Sequence, residues 1–186
     1  MTDSNDTEQD RGKVLLDIAR GAIAEALGAS PRPRPRLDWL NEPGATFVTL
    51  TQHGELRGCI GSLQAHRPLG EDVWHNARAA AFDDPRFAPL QEDELGITRC
   101  EVSLLSPAEA MTFSDEQDAL AQLRPGIDGV IFEYGRYRST FLPQVWEQLP
   151  DPRQFMTHLK RKAGLPDSFW DTNVRLSRYT VSKWRE

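Results

Sequence analysis

The sequence predicts an α+β fold, mostly antiparallel sheet with flanking helices. Two observations carry this. Two pairs of β-rich segments are each joined by a short glycine turn, at Gln52-His53-Gly54-Glu55 and at Gly135-Arg136, so their strands should run antiparallel. Apolar stripes of helical period lie around these hairpins without a regular βαβ rhythm. Hydrophobic residues make up 39% of the 186-residue chain and charged residues 27%, which suits a folded core and argues against a wholly disordered chain.

Taken in order, residues 1–11 read as a disordered acidic tail, with Asp3, Asp6, Glu8 and Asp10 and almost nothing apolar. Residues 12–185 read as a single domain. Val14, Leu15, Ile18, Ala22, Ile23, Ala26 and Leu27 form one helical stripe, and Gly28 is placed to terminate it. Pro31-Arg32-Pro33-Arg34-Pro35-Arg36 forbids helix and reads as a stiff connector. Residues 45–51 are β-branched and aromatic, and residues 56–63 return as the second strand of the hairpin, with Gly54 at positive φ. Pro68 opens a helix striped by Leu69, Val73, Ala77, Ala80 and Ala81, which must stop near Asp83-Asp84-Pro85.

Residues 98–105 alternate, with Cys100, Val102 and Leu104 on one face and Glu101 and Ser103 on the other. Ser114-Asp115-Glu116-Gln117 resembles a capping box for a helix to about Leu123. Residues 129–134 and 137–142 form the second hairpin. Phe141-Leu142-Pro143-Gln144-Val145-Trp146 then opens a helix whose first turn presents Gln144. Asp151-Pro152 starts a further helix carrying Phe155, Met156, Leu159 and Ala163, and Gly164 ends it. Residues 175–184 read as one closing strand.

Composition excludes several function classes. Lys+Arg 22 against Asp+Glu 28 gives a net charge of −6, which argues against a nucleic-acid binder. No apolar run approaches the length that spans a bilayer, and the polar N-terminus is unlike a secretory signal, so a cytoplasmic protein without membrane association is expected. Cys59 and Cys100 form no metal-type pair, and His53, His66, His75 and His158 are scattered, so neither metal nor cofactor is expected. The glycine motifs of nucleotide sites are absent.

Leu56-Arg57-Gly58-Cys59-Ile60-Gly61 is the most informative stretch, because charge and glycine interrupt an otherwise apolar strand. Strict alternation puts Arg57, Cys59 and Gly61 on one face. A guanidinium so placed would favour a thiolate, and the glycines would leave room for a ligand. The alternative is a small buried cysteine, with Arg57 paired to Glu101 or Asp84. Glu101 and Ser103 would face Cys59 if the strands share a sheet. Asp83-Asp84-Pro85-Arg86-Phe87 is either a capped, charged loop or a source of ligand contacts from Asp84 and Arg86.

These residues are similar to a known family. Leu56-Arg57-Gly58-Cys59-Ile60-Gly61 resembles the signature of the AMMECR domain, also called AmmeMemoRadiSam system protein A. Asp84-Pro85-Arg86-Phe87, Glu101-Val102-Ser103-Leu104-Leu105-Ser106-Pro107, Gly126-Ile127-Asp128-Gly129, Phe141-Leu142-Pro143-Gln144-Val145-Trp146-Glu147 and Lys162-Ala163-Gly164-Leu165 resemble its other blocks, in the same order. The resemblance implies a larger and a smaller lobe with a groove between them, lined by Arg57, Gly58, Cys59 and Gly61. It implies no established reaction. It suggests association with a Memo-like protein and a radical SAM protein.

Two functions are compatible with these residues. In one, the chain is an accessory or binding component whose groove takes a small anionic ligand, with Arg57 and Arg86 holding its carboxylate or phosphate, Gly58 and Gly61 allowing close approach, and Asp84, Ser103 and Gln144 in contact. In the other, it is an enzyme with Cys59 as nucleophile or redox thiol, Arg57 as charge stabiliser and Glu101 as proton carrier.

Overall fold

The computed structural model describes residues 3–186, with side chains from residue 7 onward. The chain divides into two compact units, Met1–Leu105 with Ser182–Glu186, and Ser106–Val181. Each holds one four-stranded sheet.

The first unit opens with α1 (Asp3–Ala26). It starts earlier than its apolar stripe predicts, and it takes in most of the stretch expected to be a disordered tail. Acidic side chains suit a helix N-terminus. Gly12 adds a tertiary contact, since a Cβ there would stand 2.2 Å from the Trp184 ring. Gly28 ends the helix as expected, at φ +99°, with Ala29 N–H donating to Ala24 C=O. The arm that follows has no regular secondary structure and is exposed, and the Arg34 guanidinium lies 4.6 Å from the Trp74 ring centroid.

Strands β1 (Ala45–Gln52) and β2 (Glu55–Gly61) form the first hairpin. Both turn residues, His53 and Gly54, have positive φ, the geometry that matches the twist of the flanking strands. Helix α2 (Leu69–Phe82) and strand β3 (Thr98–Leu105) follow, and the C-terminal β8 (Val181–Arg185) completes the sheet in the order β2-β1-β3-β8. Val48 and Leu50 of β1 and Cys100 and Val102 of β3 meet Leu15, Ile18 and Ile23 of α1 and Val73, Ala77 and Ala80 of α2 in one core. Both helices therefore serve one face of the sheet. Phe47, Thr49, Cys59, Glu101 and Ser103 point to the other.

The second unit contains β4 (Glu109–Ala110), α3 (Glu116–Gln122), β5 (Gly129–Tyr134), β6 (Tyr137–Phe141), α4 (Pro152–Ala163) and β7 (Arg175–Tyr179), with sheet order β4-β7-β5-β6. Val130, Phe132 and Leu176 pack against Phe155, Met156 and Leu159. The cap of α3 is Asp115 rather than Ser114, accepting from Asp118 N–H at 2.8 Å. Asp151 caps α4 and Gly164 ends it at φ +93°, as the sequence predicts. The single closing strand expected over residues 175–184 is broken at Thr180, and its halves β7 and β8 enter different sheets. Among the described residues no helix is long and apolar enough to cross a membrane.

Candidate functional site

The site is built on β2, an edge strand. Its pairing with β1 sets Cys59 opposite Thr49, Gly58 opposite Leu50, and Leu56 opposite Thr51. Arg57 is left as the extra residue of a bulge. The bulge breaks the alternation assumed from sequence, so Arg57 does not lie in line with Cys59. Its Nε and Nη2 donate to Glu94 Oε1 and Oε2 at 3.0 and 3.1 Å. This fork and the Gln91 N–H lower the Glu94 pKa to about 2. Arg57 Nη1 is buried with no hydrogen-bond partner among the described residues. Neither Asp84 nor Glu101 pairs with Arg57, as the sequence suggested; the partner is Glu94.

Asp84 instead clamps the backbone of Cys59. The outward polar groups of an edge strand need partners. Asp84 Oδ2 accepts from Cys59 N–H at 2.9 Å and from Arg86 Nη2 at 2.7 Å. Asp84 Oδ1 accepts from Arg86 Nε at 3.0 Å and Arg86 N–H at 3.1 Å. Arg86 Nη2 also donates to Cys59 C=O at 3.3 Å. The pair thus replaces a neighbouring strand at the Cys59 peptide groups. The Arg86 hydrogen bonds, then that from Cys59 N–H, hold the buried Asp84 carboxyl well below the usual carboxylate range.

The Cys59 side chain belongs to a row that runs across the sheet. Its Sγ is 3.2 Å from Thr49 Oγ1. Thr49 pairs on its other side with Glu101, and Glu101 Oε2 meets Arg185 Nη2 of β8 at 2.8 Å. Cys59 and Glu101 are therefore two strand spacings apart, about 10 Å. The next row on this face holds Gly61, Phe47 and Ser103. The buried Cys100 faces the core instead, where desolvation pushes its thiol up to about 12.

The chain matches the family model AMMECR1 over residues 16–184. The chain belongs to the AMMECR1 family. A relative from Methanothermobacter thermautotrophicus is 37% identical, covering 96% of this chain and 95% of its own. One from Saccharolobus islandicus is 40% identical, covering 94% and 81%. The crystal structure of an uncharacterized protein from Pyrococcus horikoshii is 33% identical, with a TM-score of 0.79 over 94% of this chain and 91% of that one.

In this AMMECR1 chain Gly58 and Gly61 serve packing. A Cβ on Gly58 would stand 2.1 Å from Ala80 O of α2, and one on Gly61 would stand 2.2 Å from the Phe47 ring. The room expected there for a ligand is filled by protein. Cys59 and Glu101 share one row, Ser103 lies in the next, and Asp84 and Arg86 border the Cys59 backbone. Gln144 is exposed in the second unit, on a 3₁₀ turn (Pro143–Glu147) rather than a longer helix. Trp146 of that turn stacks on Phe155 at 3.8 Å and donates to Asp128 C=O at 2.7 Å.

Sequence reasoning missed Thr49, Glu94 and Arg185. Thr49 was hidden by the bulge, because counting back through the hairpin turn pairs Cys59 with Val48 and the extra residue moves its partner to Thr49. Glu94 and Arg185 reach their partners across distant chain segments and carry no local signal. Among the described residues no three His, Cys, Asp or Glu side chains come together as a metal would require.

Proposed function

We propose that this chain is a ligand-binding, accessory component of a Memo- and radical-SAM-associated small-molecule or redox modification system, and that the Cys59 face of the first sheet takes a small anionic ligand. One observation carries the reading. Cys59, Thr49, Glu101 and Arg185 form a continuous polar row on the face opposite α1 and α2. Such a row offers a thiol, a hydroxyl, a carboxylate and a guanidinium to one ligand. The association with partner proteins rests on the family resemblance alone.

A self-sufficient thiol enzyme fits less well. Nucleophilic catalysis needs a base within hydrogen-bond reach of the thiol. Here the bonded neighbour is a threonine hydroxyl, and Glu101 is about 10 Å away and engaged by Arg185. Arg57, read as the charge stabiliser, has its guanidinium paired with Glu94.

Titrating the ¹⁵N-labelled full chain with succinate, inorganic phosphate and glycine tests the proposal. The expected result is amide shifts clustered at Thr49, Cys59, Glu101 and Arg185 for at least one anion, and weaker shifts with glycine. Shifts absent from this row with all three probes would overturn it.

A further inference from the structure

The two guanidiniums near Cys59 are not equivalent. Arg57 keeps 14% of its side chain exposed, gives two nitrogens to Glu94 and has its third nitrogen buried. It is closed to a ligand. Arg86 keeps 53% exposed, and its Nε and Nη2 are spent on Asp84 and on Cys59 C=O. Arg86 Nη1 has no hydrogen bond among the described residues. The Phe87 ring lies 6.0 Å from the Arg57 guanidinium and 5.5 Å from that of Arg86.

We propose that Arg86, oriented by Asp84, is the anion anchor of the Cys59 site, and that it binds a single carboxylate or phosphate group at the β2 edge beside the thiol. This rests on the reading of the Cys59 face as a ligand site. Three points support it. Asp84 has both oxygens saturated and is 2% exposed, so it presents no free lone pair to repel an anion. The bidentate fork fixes the guanidinium plane before any ligand arrives, which reduces the ordering cost of binding. The outward end of the pair is the cationic one, on a chain whose net charge of −6 otherwise disfavours anions. Asp84 is thus a positioning residue and Arg86 the contact. The bulge at β2 removes Arg57 from competition by turning it toward Glu94.

Alkylation of Cys59 by charged and neutral reagents tests this. Iodoacetate and iodoacetamide both form the S–C bond and expel iodide, and both attack through the thiolate. The ratio of their rates therefore cancels thiol exposure and thiolate fraction and reports charge beside the sulfur. The full chain is labelled in the folded state and Cys59 is followed by peptide mapping, against a neutral cysteine peptide as reference. The ratio for Cys59 should exceed that of the peptide. It should fall about threefold in Arg86→Gln, remain partly raised in Arg86→Lys, and be unchanged in Arg57→Gln. Arg86→Gln also unclamps the strand edge, which the iodoacetamide rate registers by itself. A ratio in the parent chain no higher than the peptide's, or one insensitive to Arg86, overturns the assignment of Arg86 and leaves the Cys59 face standing. Cys59 inert to both reagents overturns both.

Discussion

Replacing Asp84 by Asn isolates the clamp at little cost in volume. Asp84 accepts four hydrogen bonds, from Cys59 N–H, Arg86 N–H, Arg86 Nε and Arg86 Nη2. An amide keeps one acceptor oxygen and turns an NH₂ donor toward donors, so at least two of these bonds are lost. Hydrogen bonds to a charged group are worth roughly 1.5–3 kcal/mol each. Arg86 is half-exposed and regains water, which reduces the loss to about 3 kcal/mol in all. At roughly 2–4 °C per kcal/mol for a chain of this size, Tm should fall by about 6–12 °C at pH 7. The pH dependence has a definite sign. The folded Asp84 pKa is depressed, so its contribution is fully present above the unfolded value of about 3.9, shrinks progressively below it, and is gone only as pH falls through the much lower folded value. The gap between parent and variant should therefore narrow from pH 7 to pH 3. Circular-dichroism melts or urea titrations at both pH values measure it. A variant within about 1 °C of the parent at pH 7, or a gap undiminished at pH 3, would refute the clamp.

Gly58→Ala should destabilise the first unit by about 2–4 kcal/mol in urea titration, because its Cβ meets the Ala80 carbonyl and helix backbone cannot step aside. Gly61→Ala should cost less and be rescued by Phe47→Leu, with a coupling of about 1 kcal/mol or more in the double-mutant cycle, since the collision is with that ring. Glu94→Gln should cost about 3 kcal/mol at pH 7 by leaving Arg57 buried without its carboxylate. Glu94 titrates at about 2 in the fold, so its contribution holds above the usual glutamate range and is lost as pH drops toward 2; the acid limb of the stability curve should flatten in this variant.

Local rules made much of the fold legible. The Gly28 and Gly164 caps, the Asp151-Pro152 start of α4 and both hairpins follow from residues a few positions apart. Features set by distant partners were not legible. The N-terminal extension of α1 is met by Trp184, far along the chain, at Gly12. The break at Thr180 is set by Ser106, whose N–H donates to Thr180 C=O and whose Oγ accepts from Thr180 N–H. The site was half legible for the same reason. Cys59 and Glu101 were expected on one polar face and lie on one. The sequence reading did not place β1 between them, so their separation and the role of Thr49 went unseen. One extra residue at the bulge inverted the role of Arg57, because a period-two argument fails completely after a one-residue slip.

Cys59 lies half-buried on the polar face of its sheet, while Cys100 is sealed in the core. Labelling the folded chain with iodoacetamide at pH 8, followed by peptide mapping over time, tests it most directly. Cys59 should be modified well before Cys100, at a rate within about tenfold of a free cysteine peptide, and Cys100 should react only once the chain is unfolded in urea. Equal protection of the two thiols, or faster modification of Cys100, would contradict it.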